Sequence, residues 1–161
     1  MIELHTLGTL QLRDARGRDL CQILQPKQLA LLTYLAHARR RFHRRDSLLA
    51  LFWPELESRG ARNSLRQSLY SLRRTLEKAV LTGRGYEEIG IADELWSDVA
   101  ALDSGEAERA VELYRGDFLE GFHVQKVAPE FEHWLENEPS PSPQFGRTGC
   151  AHPGETPRNR W

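Results

Sequence analysis

Residues 58–79 read SRGARNSLRQSLYSLRRTLEKA. At about 100° per residue this stretch sorts into two stripes. Ala61, Leu65, Leu69, Leu72 and Leu76 fall on one side. Arg59, Arg62, Asn63, Arg66, Gln67, Tyr70, Arg73 and Arg74 fall on the other. The pattern predicts a helix of roughly 31 Å with Ser58 as its N-cap. Upstream, Ile2, Leu4, Thr6, Leu10 and Leu12 alternate as strands do, with Gly8 at the turn. DARGRD (residues 14–19) reads as a second turn and residues 20–24 as a third strand, giving a small antiparallel sheet with one apolar face. Pro26 opens a helix whose buried face is Leu29, Leu32, Leu35 and Ala36, ending at the basic run Arg39, Arg40 and Arg41. Residues 44–53 predict a second helix, with Asp46 in its first turn, Leu48, Leu49, Phe52 and Trp53 facing inward, and Pro54 as its stop.

Beyond the long helix, Thr82-Gly83-Arg84-Gly85 breaks the periodicity. Residues 86–91 and Leu95-Trp96, turning near Asp93, read as a β-hairpin. The order sheet, helix, helix, long basic helix, hairpin predicts an α+β winged helix-turn-helix, with the third helix in the DNA major groove and the hairpin as the wing. After Asp98 the residues 99–102, 107–114 and 131–135 read as helical, joined by RGDFLEGF (115–122). This stretch carries Tyr114, Phe118, Phe122, Phe131 and Trp134, which fits helical hairpins that bury aromatics. From Pro139 onward no periodicity remains, and disorder is the expectation. The division read from the sequence is therefore a winged helix at 1–97, a partial helical segment at 98–138 and a tail at 139–161.

Charge separates earlier, at the end of the long helix, so the wing falls on the acidic side. The net charge of -1 over 161 residues hides +8 in residues 1–80, -11 in residues 81–138 and +2 thereafter. A basic half can approach a polyanion, whereas an acidic half is repelled by one and is suited to protein contacts.

A charged helical stripe is most often a solvated face. Such faces usually mix signs, because acid and base four residues apart support each other. Here the pairs at that spacing include Arg59–Asn63, Arg62–Arg66 and Arg66–Tyr70, and Glu77, near the far end, is the only acid of the stretch. Five arginines with Asn, Gln and Tyr suit a DNA groove, where Arg binds phosphate or guanine and Asn or Gln suits adenine. Arg62, Asn63, Arg66 and Tyr70 are the expected base readers. Lys27, Arg44, Arg45, Arg59, Gln67, Arg73 and Arg74 are the expected phosphate contacts.

The runs PKQLALLTYLA, RRDSLLALFWPE and ARNSLRQSLYSLRRTLE resemble the DNA-binding domain of SARP-type bacterial transcriptional activators, itself similar to the OmpR-type winged helix. LWSDVAAL, AVELYRGDFLEGF and FEHWLENE resemble the start of the bacterial transcriptional activator domain, built from tetratricopeptide-like helical pairs. The resemblance covers residues 2–138. It implies a regulator that binds repeated sites in double-stranded DNA close to a promoter and helps recruit RNA polymerase; a monomer of this shape covers only a short half-site, so a dimer or tandem binding is expected. It also implies recognition by Arg59, Arg62, Asn63, Arg66, Tyr70, Arg73 and Arg74, the stripe that the projection selects by itself. Three features depart from the family pattern, one being that the tail from Pro139 does not resemble the expected next helix. The wing is acidic, with Glu87, Glu88, Asp93 and Glu94, and the second domain reads as a truncated helical array.

No catalytic constellation is present. GRGYEEIG lacks the lysine-serine ending of a phosphate loop. The histidines His5, His37, His43, His123, His133 and His152 give no zinc-binding pair at helical spacing. Cys21 and Cys150 read as free thiols, the first half-buried. No cofactor, metal or enzymatic activity is expected. The apolar runs are too short to span a bilayer and no signal peptide is read, so the expected location is cytoplasmic. The competing reading is a protein-interaction module in which the acidic helices bind a partner and no specific DNA is recognised.

Overall fold

The computed structural model describes residues 2–37, 41–76, 80–92, 95–103 and 112–137. The N-terminal alternation produces strands β1 (Ile2–His5) and β2 (Gln11–Arg13), antiparallel with Leu4 opposite Leu12. Gly8 turns the chain between them at φ +107°, a left-handed conformation open to glycine, and a Cβ there would press against the backbone of Arg115 at 3.3 Å. The Asp14–Asp19 turn is tied by the Asp14 carboxylate, which accepts from the backbone amides of Arg16 and Arg18 and from Arg18 Nε.

Residues 20–24 form a turn, not the expected third strand. The amides of Ile23 and Leu24 both donate to the Leu20 carbonyl, which buries Leu20 and Leu24 and leaves Ile23 outside. The third strand of this sheet comes instead from far along the chain. It is β6 (Leu95–Ser97), which lies parallel to β1 in the order β2-β1-β6.

Helix α1 (Pro26–His37) starts at the expected proline, and the amide of Gln25 donates to the Gln28 side chain, satisfying one exposed amide at the helix start. Leu29, Leu32 and Leu35 are buried as expected, with Ala36 half-buried. Of the basic run, Arg41 is exposed, while residues 39 and 40 lie outside the described residues. A short strand that periodicity did not show follows, β3 (Phe42–Arg44). Helix α2 (Arg45–Phe52) and helix α3 (Ser58–Leu76) complete the helix-turn-helix. Ser58 lies inside the first turn of α3 and not at its cap, since the Ala61 amide donates to the Glu57 carbonyl. Ala61, Leu65, Leu69, Leu72 and Leu76 are all buried. Each fully buried leucine contributes about 1.5–3 kcal/mol, so this stripe fixes which way the arginines face.

The wing is a hairpin of β4 (Leu81–Arg84) and β5 (Glu88–Ile91), turning at residues 85–87. The expected hairpin, which paired residues 86–91 with Leu95-Trp96, is displaced. Thr82 and Gly83 enter the ladder opposite Gly90 and Ile89, and β5 is also paired on its other side with β3. Gly90 is required by that packing, because a side chain there would strike the Arg41 carbonyl.

Helix α4 (Asp98–Asp103) follows β6 directly, and helix α5 (Pro129–Asn137) ends the described chain. Residues 112 and 113 are helical; 104–111 and the tail, including Cys150 and His152, lie outside the described residues. Of the aromatics of the acidic stretch, Phe131 is buried and Phe118, Phe122 and Trp134 are half-buried, whereas Tyr114, expected to bury, is exposed. Phe131 is fully buried with its ring 4.9 Å from Phe52 and 5.5 Å from Trp134, and Trp134 stands 5.0 Å from Tyr34 of α1. The Ala128 amide donates to the Leu51 carbonyl at 2.8 Å. At the other end, the amides of Leu119 and Glu120 donate to the carbonyls of Thr6 and Gly8.

Candidate nucleic-acid interface

Helix α3 holds nineteen residues, about 28 Å of rod. Its apolar stripe is spent on the core, which leaves Arg59, Arg62, Asn63, Arg66, Gln67, Tyr70 and Arg74 exposed and Arg73 half-buried. Tyr70 keeps 63% of its surface. Between Ser58 and Leu76 the helix carries no acid, so none of its arginines is neutralised along its own length. The one side-chain contact within the stripe is long, Arg66 Nη1 to Asn63 Oδ1 at 3.5 Å. Ser68 is buried and Ser64 and Ser71 are half-buried, so these small residues serve close packing on the flank.

The N-terminal half of this face opens into a cleft of about 420 Å³ shared with α2 and the wing. Arg44, Arg45, Arg62 and Arg66 line it, with Tyr86 and Glu87 from the wing turn. Arg45 sits deepest among these bases. Its Nε is buried with no hydrogen-bond partner. Burial first, then the nearby positive charges of Arg73 and Arg66, lower its pKa, yet a guanidinium stays charged at neutral pH. Asp46 and Glu87 are the acids among the lining residues, so the arginines outnumber them and the cleft keeps an excess of positive charge that favours an anion. A second depression, about 470 Å³, runs along the C-terminal half and is bordered by Tyr70, Ser71 and Arg74 from α3 and by Ile23 and Gln28.

The structure thus draws together Arg44, Arg45, Arg62 and Arg66 at one end and Tyr70 and Arg74 at the other. Lys27 is held apart from both. Its Nζ meets Glu55 Oε2 at 3.3 Å and lies 5.6 Å from the Trp53 ring, with 19% of the side chain exposed. Tyr86, 95% exposed at the wing tip, and Glu87 border the cleft; the sequence placed both in the wing but not among the expected DNA contacts. Their role depends on where the wing turns, and the hairpin expected from the sequence put that turn elsewhere.

The arrangement holds no grouping of His, Cys, Asp or Glu able to bind a metal ion among the described residues. No helix among them is long and apolar enough to cross a membrane. Cys21 is half-buried, and desolvation, then Asp19, pushes its thiol up to about 11. A thiol with that pKa is a poor nucleophile.

Residues 21–87 match the family described as transcriptional regulatory protein, C terminal. That family is one of transcription regulators and not an enzyme class. No curated protein sequence matches the chain. Among solved structures the fold is similar to that of Mycobacterium tuberculosis EmbR in complex with a low affinity phosphopeptide, at a TM-score of 0.65 and 20% identity. The superposition covers 92% of this chain and 46% of that one, so this chain spans about half the length of its structural relative. The winged-helix fold and the family match both agree with the resemblance seen in the sequence motifs.

Proposed function

From the match of residues 21–87 to the transcriptional regulatory protein, C-terminal family, and from the SARP-type motifs, we propose that this protein is a sequence-specific regulator binding double-stranded DNA. The observation that carries the reading is the exposed, acid-free arginine face of α3, fixed outward by its buried leucine stripe.

In this reading α3 lies in the major groove. Arg62, Asn63 and Arg66 address base edges, because they occupy the N-terminal half of the helix where it opens into the basic cleft. Tyr70 supplements them. Arg44, Arg45, Arg59, Gln67, Arg73 and Arg74 grip phosphates and set the register. Lys27, beside Glu55, and Arg44, beside Glu87, are the weakest members of that set, because each already faces a carboxylate. One winged helix covers only a short half-site, so promoter repeats, bound in tandem or by a dimer, supply the remaining specificity. Contact with RNA polymerase then follows from position near a promoter, and residues 98–138 act as the start of an activator domain.

The test is selection of bound genomic fragments by the purified chain, followed by titration of the selected site. Arg66→Ala costs about 1–3 kcal/mol at that site. If about six phosphates are neutralised, the slope of log K against log salt is near -5. Equal binding by Arg66→Ala removes that residue from the interface, and a flat salt dependence refutes the electrostatic grip.

A further inference from the structure

The wing carries the wrong charge for a grip on the DNA backbone. Arg84 is the only base between Val80 and Ala92, and it is occupied. Its Nε and Nη2 donate to the Glu88 carboxylate at 2.7 and 3.1 Å, and its guanidinium lies 4.8 Å from the Phe42 ring centre. The turn is also pinned at its base, because the Arg45 amide donates to the Glu87 carbonyl at 2.8 Å. With its backbone so placed, Glu87 borders the basic cleft, its side chain 78% exposed and Oε2 3.7 Å from Nη2 of Arg44. As an ion pair this exposed contact contributes little. Its position matters more, because a duplex seated on α3 brings its phosphates to the same mouth.

We propose that Glu87 limits the grip of this protein on any duplex, by occupying Arg44 and by facing the phosphate backbone with a like charge. The inference rests on α3 being the DNA-binding helix. It assigns the wing turn a sequence-independent restraining role. Association with arbitrary DNA is dominated by phosphate neutralisation. A carboxylate beside the phosphate-binding arginines lowers that contribution without touching a base.

The test compares wild type, Glu87→Gln and Glu130→Gln on a random-sequence duplex and on the selected site, each over a salt series. Glu87→Gln retains the side-chain volume and leaves the wing's backbone hydrogen bonds in place, so the fold is preserved. It is expected to bind both duplexes about threefold to tenfold more tightly at low salt. Releasing Arg44 adds about one neutralised phosphate, so the log–log slope steepens by about 0.9. That is about 3.5-fold more loss of affinity between 50 and 200 mM salt. Glu130→Gln changes the net charge equally on α5, outside the cleft, and leaves both affinities unchanged. In an Arg44→Ala background the extra slope from Glu87→Gln disappears. Unchanged affinity and slope in Glu87→Gln overturn the proposal and leave DNA binding intact. A gain confined to the selected site also overturns it, since Glu87 would then be reading a base. Retention of the extra slope without Arg44 refutes the occupation of that arginine. Failure of every variant, wild type included, to bind duplex removes the DNA reading and this inference with it.

Discussion

Asp98 is the side chain whose removal gives the sharpest test of how the two ends of the fold are joined. It is fully buried at the β6–α4 junction and accepts from the Thr6 amide at 2.9 Å, the Leu7 amide at 2.9 Å and the Thr6 hydroxyl at 3.1 Å. The Val99 amide donates to the same carboxylate at 2.9 Å. Strand β1 has ended by Thr6, so the Thr6 and Leu7 amides have left the β1–β6 ladder. In Asp98→Ala both lose their acceptor in a region that water does not reach. A buried amide left unsatisfied costs about 1–3 kcal/mol. Two such groups, with the Thr6 hydroxyl free to turn toward His37 Nε2 at 3.4 Å, put the loss at about 3–5 kcal/mol. Relief of the buried charge works in the opposite direction and is already inside that range. Asp98→Asn keeps one carbonyl oxygen but aims an amide at other donors, and falls between alanine and wild type. Urea unfolding reads this as a lower midpoint at unchanged slope. A loss below about 1 kcal/mol for Asp98→Ala would falsify the view that this carboxylate holds the N-terminal strand to the later part of the chain.

Two further predictions concern the same framework. Phe131→Ala, which empties a fully buried site against Phe52 and Trp134, is expected to cost about 3–5 kcal/mol and to lower the midpoint of one cooperative transition. A separate early transition that leaves the winged helix at wild-type stability would show instead that α5 unfolds independently. Burial pushes His37 down to about 4 from 6.5. The unfolded chain takes up that proton near pH 6.5 and the folded one only near 4, so stability is complete above pH 6.5 and falls as pH drops through this window. Between pH 7.5 and 5 the loss is at most about 2 kcal/mol, because only the roughly 1.5 pH units below 6.5 contribute, at about 1.4 kcal/mol each. His37→Gln should lack this share when denaturation midpoints are compared at the two pH values. Identical pH dependence in the variant sinks the assignment.

What could be read from the chain in advance follows from the range of the interactions involved. The α3 stripes are a local property, and each of its five expected apolar positions is buried. Pro26 marks the start of α1 for an equally local reason. Strand β3 escaped notice because Phe42, His43 and Arg44 are too few and too polar to show alternation. They are a strand only because β5 is there to pair with them. The wing was misplaced because Gly83 and Gly85 look like breakers, yet Gly83 lies in a ladder opposite Ile89 and only Gly85 is in the turn, at φ +66°. Residues 20–24 read as a strand because four of the five side chains favour burial or extended packing. The third strand of that sheet is instead Leu95–Ser97, paired with β1. The same limits apply to the interface. The arginine face was visible from periodicity, whereas the cleft required knowing that the turn at residues 85–87 folds back toward α2.

The parallel pairing of Ile2 with Leu95 also sets a timetable for synthesis. At about 5–20 residues per second the first strand leaves the ribosome some 5–20 s before its neighbour has been made. Through that interval the β1–β2 hairpin has one unpaired backbone edge, next to the apolar side chains of Ile2 and Leu4. Closing the sheet is then a late step that waits for the helix-turn-helix and the wing to be made, and a nascent chain stalled before Leu95 exposes an edge that neighbouring chains can pair with.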